Sequence, residues 1–193
     1  FNTIGNWSDP DYAARSGLPF VLPLKKYPAT DTRLFRDLPD VFDPVFASRA
    51  KHYAAQLEPW VRHRNLIGTF MINEPKWGFG GFNLASEMLE DHPGTHARRA
   101  LARWISSRYH GDTAAWIQAW RLERGTWEFE HLEHRCVHRM VERHPGSAPA
   151  LSEFSRELVR RFVRIPAEAL RAVDPHHLNL GMRWAWISSD LCY

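Results

Sequence analysis

The apolar run Ile67-Gly68-Thr69-Phe70-Met71-Ile72, closing on Asn73-Glu74-Pro75, constrains this chain more than any other stretch. Its apolarity is nearly continuous rather than alternating. That suits a parallel strand covered on both faces. Parallel strands need crossover connections, usually helical, so the sequence must supply more strands with helices between them. Residues 1–7, 18–24 and 178–187 read as those strands, beside 66–73. Each is short, mostly apolar and flanked by Gly, Pro, Asn or Asp.

Helical patterns fill the intervals. Asp43-Pro44 pairs an N-cap with proline at the first helical position. Phe46, Ala50, Tyr53, Leu57 and Trp60 then repeat at steps of three and four, with Pro59 set to break or restart the helix. A second stripe runs through Leu151, Phe154, Leu158, Phe162, Ile165, Ala169 and Val173, with a kink expected at Pro166. Arg156, Arg160, Arg161 and Arg164 lie mainly off that stripe and read as a solvated face. Between residues 73 and 178 the connection is too long for one crossover helix. Residues 95–109, 112–121 and 126–143 have helical patterns, and Pro145-Gly146-Ser147-Ala148-Pro149 is a turn-rich break. Residues 76–148 therefore read as a helical insertion in a parallel α/β protein.

Composition removes several classes. With 193 residues, 44% hydrophobic and 24% charged, the chain can bury a sizeable core and is not wholly disordered. No run approaches the ~20 apolar residues of a membrane helix. Two cysteines, Cys136 and Cys192, exclude a disulfide scaffold and a multi-cysteine metal site, and leave one bridge or two free thiols open. A net charge of +3 is no case for nucleic acid, which wants a clustered basic face and a reading motif. Nine Trp is a heavy load; surplus Trp suits either core packing or a cleft that stacks on sugar rings.

Asn73-Glu74-Pro75 is the strongest chemical candidate. A carboxylate at the C-terminal end of a parallel strand stands where α/β barrels place catalytic groups. Pro75 cannot donate to a sheet ladder and helps end the strand. Asn73 adds a donor and an acceptor beside the carboxyl group. The competing reading is a strand-exit Glu bonded to nearby amides. His131, His134 and His138 share helical spacing, so a metal site is conceivable, but a solvated mixed-charge helix is the simpler reading. His176-His177 reads as a local hydrogen-bonding pair. Gly78, Gly80 and Gly81 lack the ending of a phosphate loop and read as a mobile loop beside Glu74.

These residues resemble the clan A retaining glycoside hydrolases, (β/α)8 enzymes that include β-galactosidases and β-agarases. In that clan an Asn-Glu pair, often followed by Pro, closes the fourth strand, and its Glu is the general acid/base. Residues 40–77 resemble the third helix, fourth strand and catalytic loop; FNTIGNWSD (1–9) resembles the second strand; 18–25 the third; and HLNLGMRWAW (177–186) the fifth. WISSRYHGDTAAWIQAW (104–120) resembles the post-catalytic helices of β-galactosidase-like members. FNTIGNWSD and LGMRWAW are most similar to agarase-type members.

The resemblance implies a partial (β/α)8 TIM barrel, about strands two to five, with the insertion after strand four. Residues 1–193 would then form one incomplete catalytic domain cut from something larger. It implies Glu74 as acid/base and Asn73 as the partner of the sugar 2-hydroxyl. A retaining enzyme also needs a nucleophilic carboxylate about 5–5.5 Å from the acid. That Glu closes the clan's seventh strand and falls outside these residues, so the chain alone is expected to be inactive. Asp9 and Asp190 do not match its position. Asn6, Trp7, Lys25, Trp77, Arg183, Trp184 and Trp186, at or beyond strand ends, are the expected substrate contacts. Trp184 and Trp186 share a strand face and Arg183 has the other. The substrate expected is a galactose-containing polysaccharide such as agar, with a β-galactoside second. No cofactor or metal is required. No nucleic-acid or membrane partner is expected, and open sheet edges invite self-association. Secretion or a periplasmic location fits the resemblance, although no signal peptide is visible. The alternatives are a non-catalytic carbohydrate-binding protein on a degenerate barrel and a plain structural α/β domain.

Overall fold

A computed structural model describes residues 2–185. Its centre is a set of parallel strands in sequence order. β1 (Phe20–Pro23) pairs with β4 (Leu66–Phe70), and β4 with β6 (Leu178–Asn179). β5 (Ile72–Asn73) continues β4 past Met71 and pairs with β7 (Met182–Arg183), which continues β6. Ile4 adds a parallel bridge to Phe20 on the other side of β1. The register Phe20↔Leu66, Gly68↔Leu178 and Asn73↔Arg183 brings the C-terminal ends of these segments to one side. The chain is thus α/β with a parallel sheet, as its apolar runs predict.

The first strand is shorter than expected. Residues 2–7 contribute only the bridge at Ile4, which has β1 as its neighbour and no described strand on its outer side. The interruption at Met71 is satisfied from two directions. Its N–H donates to the Gly181 carbonyl at 2.8 Å, and its carbonyl accepts the Tyr53 hydroxyl at 2.6 Å. Gly68 is required for the sheet: a Cβ there would lie 2.3 Å from the Leu178 carbonyl oxygen.

The helices follow their caps. α1 (Pro10–Arg15) and α2 (Pro44–Ala54) both open on Asp-Pro, with Asp9 and Asp43 side chains accepting N–H groups of the first turn. After α2 the chain tightens into a 3-10 turn, Ala55–Trp60, which contains Pro59. α1 escaped the sequence reading although it repeats the Asp-Pro signature. An antiparallel hairpin, β2 (Arg33–Phe35) with β3 (Leu38–Pro39), was also unforeseen.

The stretch read as an insertion holds α3 (Leu84–Glu90), α4 (His96–Arg108), α5 (Thr113–Trp120), α6 (His131–His134) and α7 (Met140–Arg143). α4 and α5 match the expected helices, capped by Thr95 and Asp112. Residues 126–143 do not form one helix. Arg135 is extended and Arg139 has φ +53°, which divides them into two single turns. Arg98 of α4 explains part of that shape. It is wholly buried, and its guanidinium donates to the carbonyls of Leu132, Asp91 and Arg135. Continuing α6 beyond His134 would compete for the Leu132 and Arg135 carbonyls. Asp40 makes the reciprocal tie, its buried carboxylate accepting the N–H of Ala97 at the start of α4 and of Phe42.

The last helix, α8 (Ala148–Val173), packs on α2 and α3 and runs through Pro166 without a break. Pro166 has no N–H for the Phe162 carbonyl. The Tyr27 hydroxyl donates to that carbonyl instead. One apolar cluster lies between α8 and the insertion, around Phe154, Leu158, Trp116 and Trp120. The other lies between the sheet, α1, the end of α2 and Leu170.

Candidate functional site

The turn after β5 carries the Asn-Glu pair. Glu74 is exposed and has φ +47°, a left-handed conformation unusual for a non-glycine residue. It is doubly unfavourable here because the residue before a proline is biased toward extended backbone. The Glu74 N–H donates to the Arg183 carbonyl at 2.8 Å, which anchors the turn to the neighbouring strand. The Asn73 side chain is half-buried, and its Oδ1 accepts from Arg183 Nη1 at 2.7 Å.

Positive φ recurs at this side of the sheet. Trp7 (φ +72°) follows the Ile4 bridge and Lys26 (φ +55°) follows β1, as Glu74 follows β5. Strained backbone of this kind costs about 1–3 kcal/mol per residue and clusters at functional sites. Between these turns lies an open cleft of about 450 Å³. Asn6, Trp7, Asp9, Lys25 and Asn73 line it, with Phe70 and Ile72. Trp7 is 72% exposed and lies over the Arg183 guanidinium, 5.4 Å from its ring centre. Lys25 is exposed, and Gln56 fixes its backbone by bonding both its N–H and its carbonyl. Both polar atoms of the Asn6 amide are buried without a partner among the described residues. An unsatisfied buried amide costs about 1–3 kcal/mol, so a ligand that pairs with it gains accordingly.

The expected contacts therefore separate. Asn6, Trp7, Lys25, Asn73, Glu74 and Arg183 come together around the cleft and the turn that follows it. Trp77 lies elsewhere. It is 3% exposed and packs edge-on against Phe162 and Trp184. It belongs to the core rather than to an open stacking face. Trp184 is half-buried behind it, and Trp186 lies outside the described residues. Trp116 and Trp120 are fully buried too, so part of the heavy Trp load serves the core.

The start of the glycine segment after Glu74 is tied to the hairpin. Lys76–Gly78 forms a 3-10 turn, and Asp37 accepts the N–H of both Lys76 and Trp77 at 2.9 Å. Arg36 donates to the Lys76 and Phe79 carbonyls. The hairpin β2–β3 thus clamps the segment beyond Glu74. Its only signal in the sequence is the polar pair Arg36-Asp37 between Phe35 and Leu38. Asp9 is likewise occupied, its Oδ1 accepting the Tyr12 N–H at 2.8 Å as the cap of α1.

The histidine cluster does not assemble a metal site among the described residues. His131 Nδ1 takes the Glu128 N–H, and His138 lies beyond α6 against Glu90. His177 behaves as a local hydrogen-bonder, 2.6 Å from the Asp174 carboxylate. Cys136 is exposed and unbridged.

No family model matches the chain. Among curated proteins it is 27% identical over 209 aligned positions to Beta-agarase A of Vibrio sp. (strain JT0107), covering 96% of this chain and 20% of that protein. Among solved structures it superposes on an exo-beta-agarase with a TM-score of 0.74 and 22% identity, over 95% of this chain and 26% of that one. It superposes on PfGH50B with a TM-score of 0.77 and 19% identity, over 95% of this chain and 28% of that one. The resemblance to agarase-type glycoside hydrolases read from the sequence is borne out. The chain spans about a fifth of the length of its curated relative.

Proposed function

We propose that this chain is the central part of a retaining glycoside hydrolase barrel, about strands two to five of eight, acting on a β-linked galactose-containing polysaccharide such as agar. The observation that carries the reading is the strained Asn73-Glu74 turn at the C-terminal end of a parallel strand, beside an open cleft. The parallel order Ile4, β1, β4–β5, β6–β7 supports a barrel arc, and the agarase relatives support the substrate class.

Glu74 is the general acid/base. It protonates the leaving glycosidic oxygen and later takes a proton from the attacking water. Asn73 bonds the sugar 2-hydroxyl, a contact that strengthens as the oxocarbenium-like transition state forms. Trp7 offers an exposed indole to a pyranose face, and Asn6 and Lys25 bond hydroxyls. The nucleophile is a second carboxylate from a later strand. Asp9 and Asp37, the carboxylates of the neighbouring turns, already hold backbone N–H groups. On this reading the chain lacks its nucleophile and hydrolyses nothing by itself.

The test uses the full natural reading frame that contains these residues. Wild-type protein should release reducing ends from agarose, and E74Q should lose activity by about 10²-fold or more. The 193-residue chain alone should show none. Agarose hydrolysis by E74Q at the wild-type rate, or by the 193-residue chain, would overturn the assignment.

A further inference from the structure

Three contacts converge on one residue that the proposed chemistry leaves without a task. Arg183 donates through Nη1 to Asn73 Oδ1, its carbonyl accepts the Glu74 N–H, and its guanidinium lies against the Trp7 ring. A guanidinium has donors only. Its partner on Asn73 must therefore be the amide oxygen, which settles the orientation of that amide. One lone pair of Oδ1 is thereby taken, and the Nδ2–H₂ group is turned to the side left for an occupant of the cleft that Asn73 lines.

We infer that Arg183 is a positioning residue. By holding Asn73 Oδ1 it fixes Asn73 as a hydrogen-bond donor, so the sugar group read there is a hydroxyl acting as acceptor. That hydroxyl keeps its own proton free to donate elsewhere. The same residue steadies the left-handed Glu74 through its main chain, which a side-chain substitution leaves in place. Arg183 does this through Asn73 and needs no contact of its own with the sugar. The inference rests on the functional reading above.

A double-mutant cycle on the full-length protein separates the alternatives. If Arg183 acts through Asn73, R183M lowers kcat by about 10–100-fold, with KM within about twofold. In the N73A background the same substitution then costs less than about twofold. The Asn73 side-chain NH₂ resonances, assigned by their absence in N73A, shift in R183M whether or not the protein is active. An equal loss from R183M in both backgrounds would overturn the inference, as would a rise in KM alone. Unchanged NH₂ resonances would also overturn it. Should the wild-type protein hydrolyse no galactan, the functional reading fails, and the amide resonances decide the positioning role by themselves.

Discussion

Replacing Tyr27 by Phe probes how α8 tolerates its internal proline. The Phe162 carbonyl lacks the N–H that residue 166 would normally donate, and the Tyr27 hydroxyl takes that place. The Tyr27 ring is held independently of the hydroxyl, 4.7 Å from the Phe162 ring and 5.5 Å from that of Tyr53. Phe should fill the same space, so Y27F removes one hydrogen bond and strands one carbonyl. That costs about 1–2 kcal/mol. With a urea dependence of about 2–3 kcal/mol per molar, the unfolding midpoint falls by about 0.3–1 M. P166A restores the missing N–H. In that background Y27F should cost less than about 0.5 kcal/mol, a coupling near 1 kcal/mol. Burial, and then the neighbouring Tyr53, hold the Tyr27 pKa well above its ordinary value. A raised folded pKa contributes stability that is full below the unfolded value of about 10 and is lost at higher pH. Wild type should therefore lose stability more steeply than Y27F above pH ~10. Equal Y27F costs in both backgrounds, or no cost in the wild type, would refute the substitution of one donor for another.

G68A should destabilise the sheet by at least about 1–3 kcal/mol, because its Cβ meets main-chain atoms of β6 rather than a flexible side chain; denaturant titration would show it. Burial alone would raise the Asp174 pKa, but hydrogen bonds from the His177 ring and from the N–H groups of His177 and His176 prevail and lower it. Its contribution is present above the unfolded pKa of about 3.9 and lost as pH falls through the depressed folded value. The stability gap between wild type and D174A should therefore narrow below pH ~4, and a constant gap would contradict the pairing. D37A should unclamp the turn after Glu74 and speed amide exchange at Lys76 and Trp77, with less effect on exchange at Leu22 in β1.

The parts of the fold visible in the sequence are those written by local chemistry. Continuous apolarity marked β1 and β4, and the Asp43-Pro44 cap fixed the start of α2. Thr95 and Asp112 bounded α4 and α5 in the same way. What escaped was set by distant partners. The break in residues 126–143 answers to the buried Arg98, over 30 positions away in sequence, whose need for carbonyl acceptors leaves no periodic trace. The passage of α8 through Pro166 depends on Tyr27. Trp77 looked like a strand-end platform by position alone. Its burial follows from Asp37 and Arg36, which draw the segment against the core. Asn73 and Glu74 were legible because type, order and strand end coincide in three adjacent letters. The hold of Arg183 on Asn73 depends on strand register, which the sequence does not display.

Proton donation by Glu74 is the central claim, and leaving-group dependence tests it most directly. The measurement compares E74A with wild type in the full-length protein, using an alkyl and a dinitrophenyl β-galactoside. E74A should slow glycosidic cleavage of the alkyl substrate by about 10²–10⁴-fold. The first step on the dinitrophenyl substrate, whose leaving group needs no proton, should be nearly unchanged. Equal losses on both substrates, or no loss on either, would contradict it.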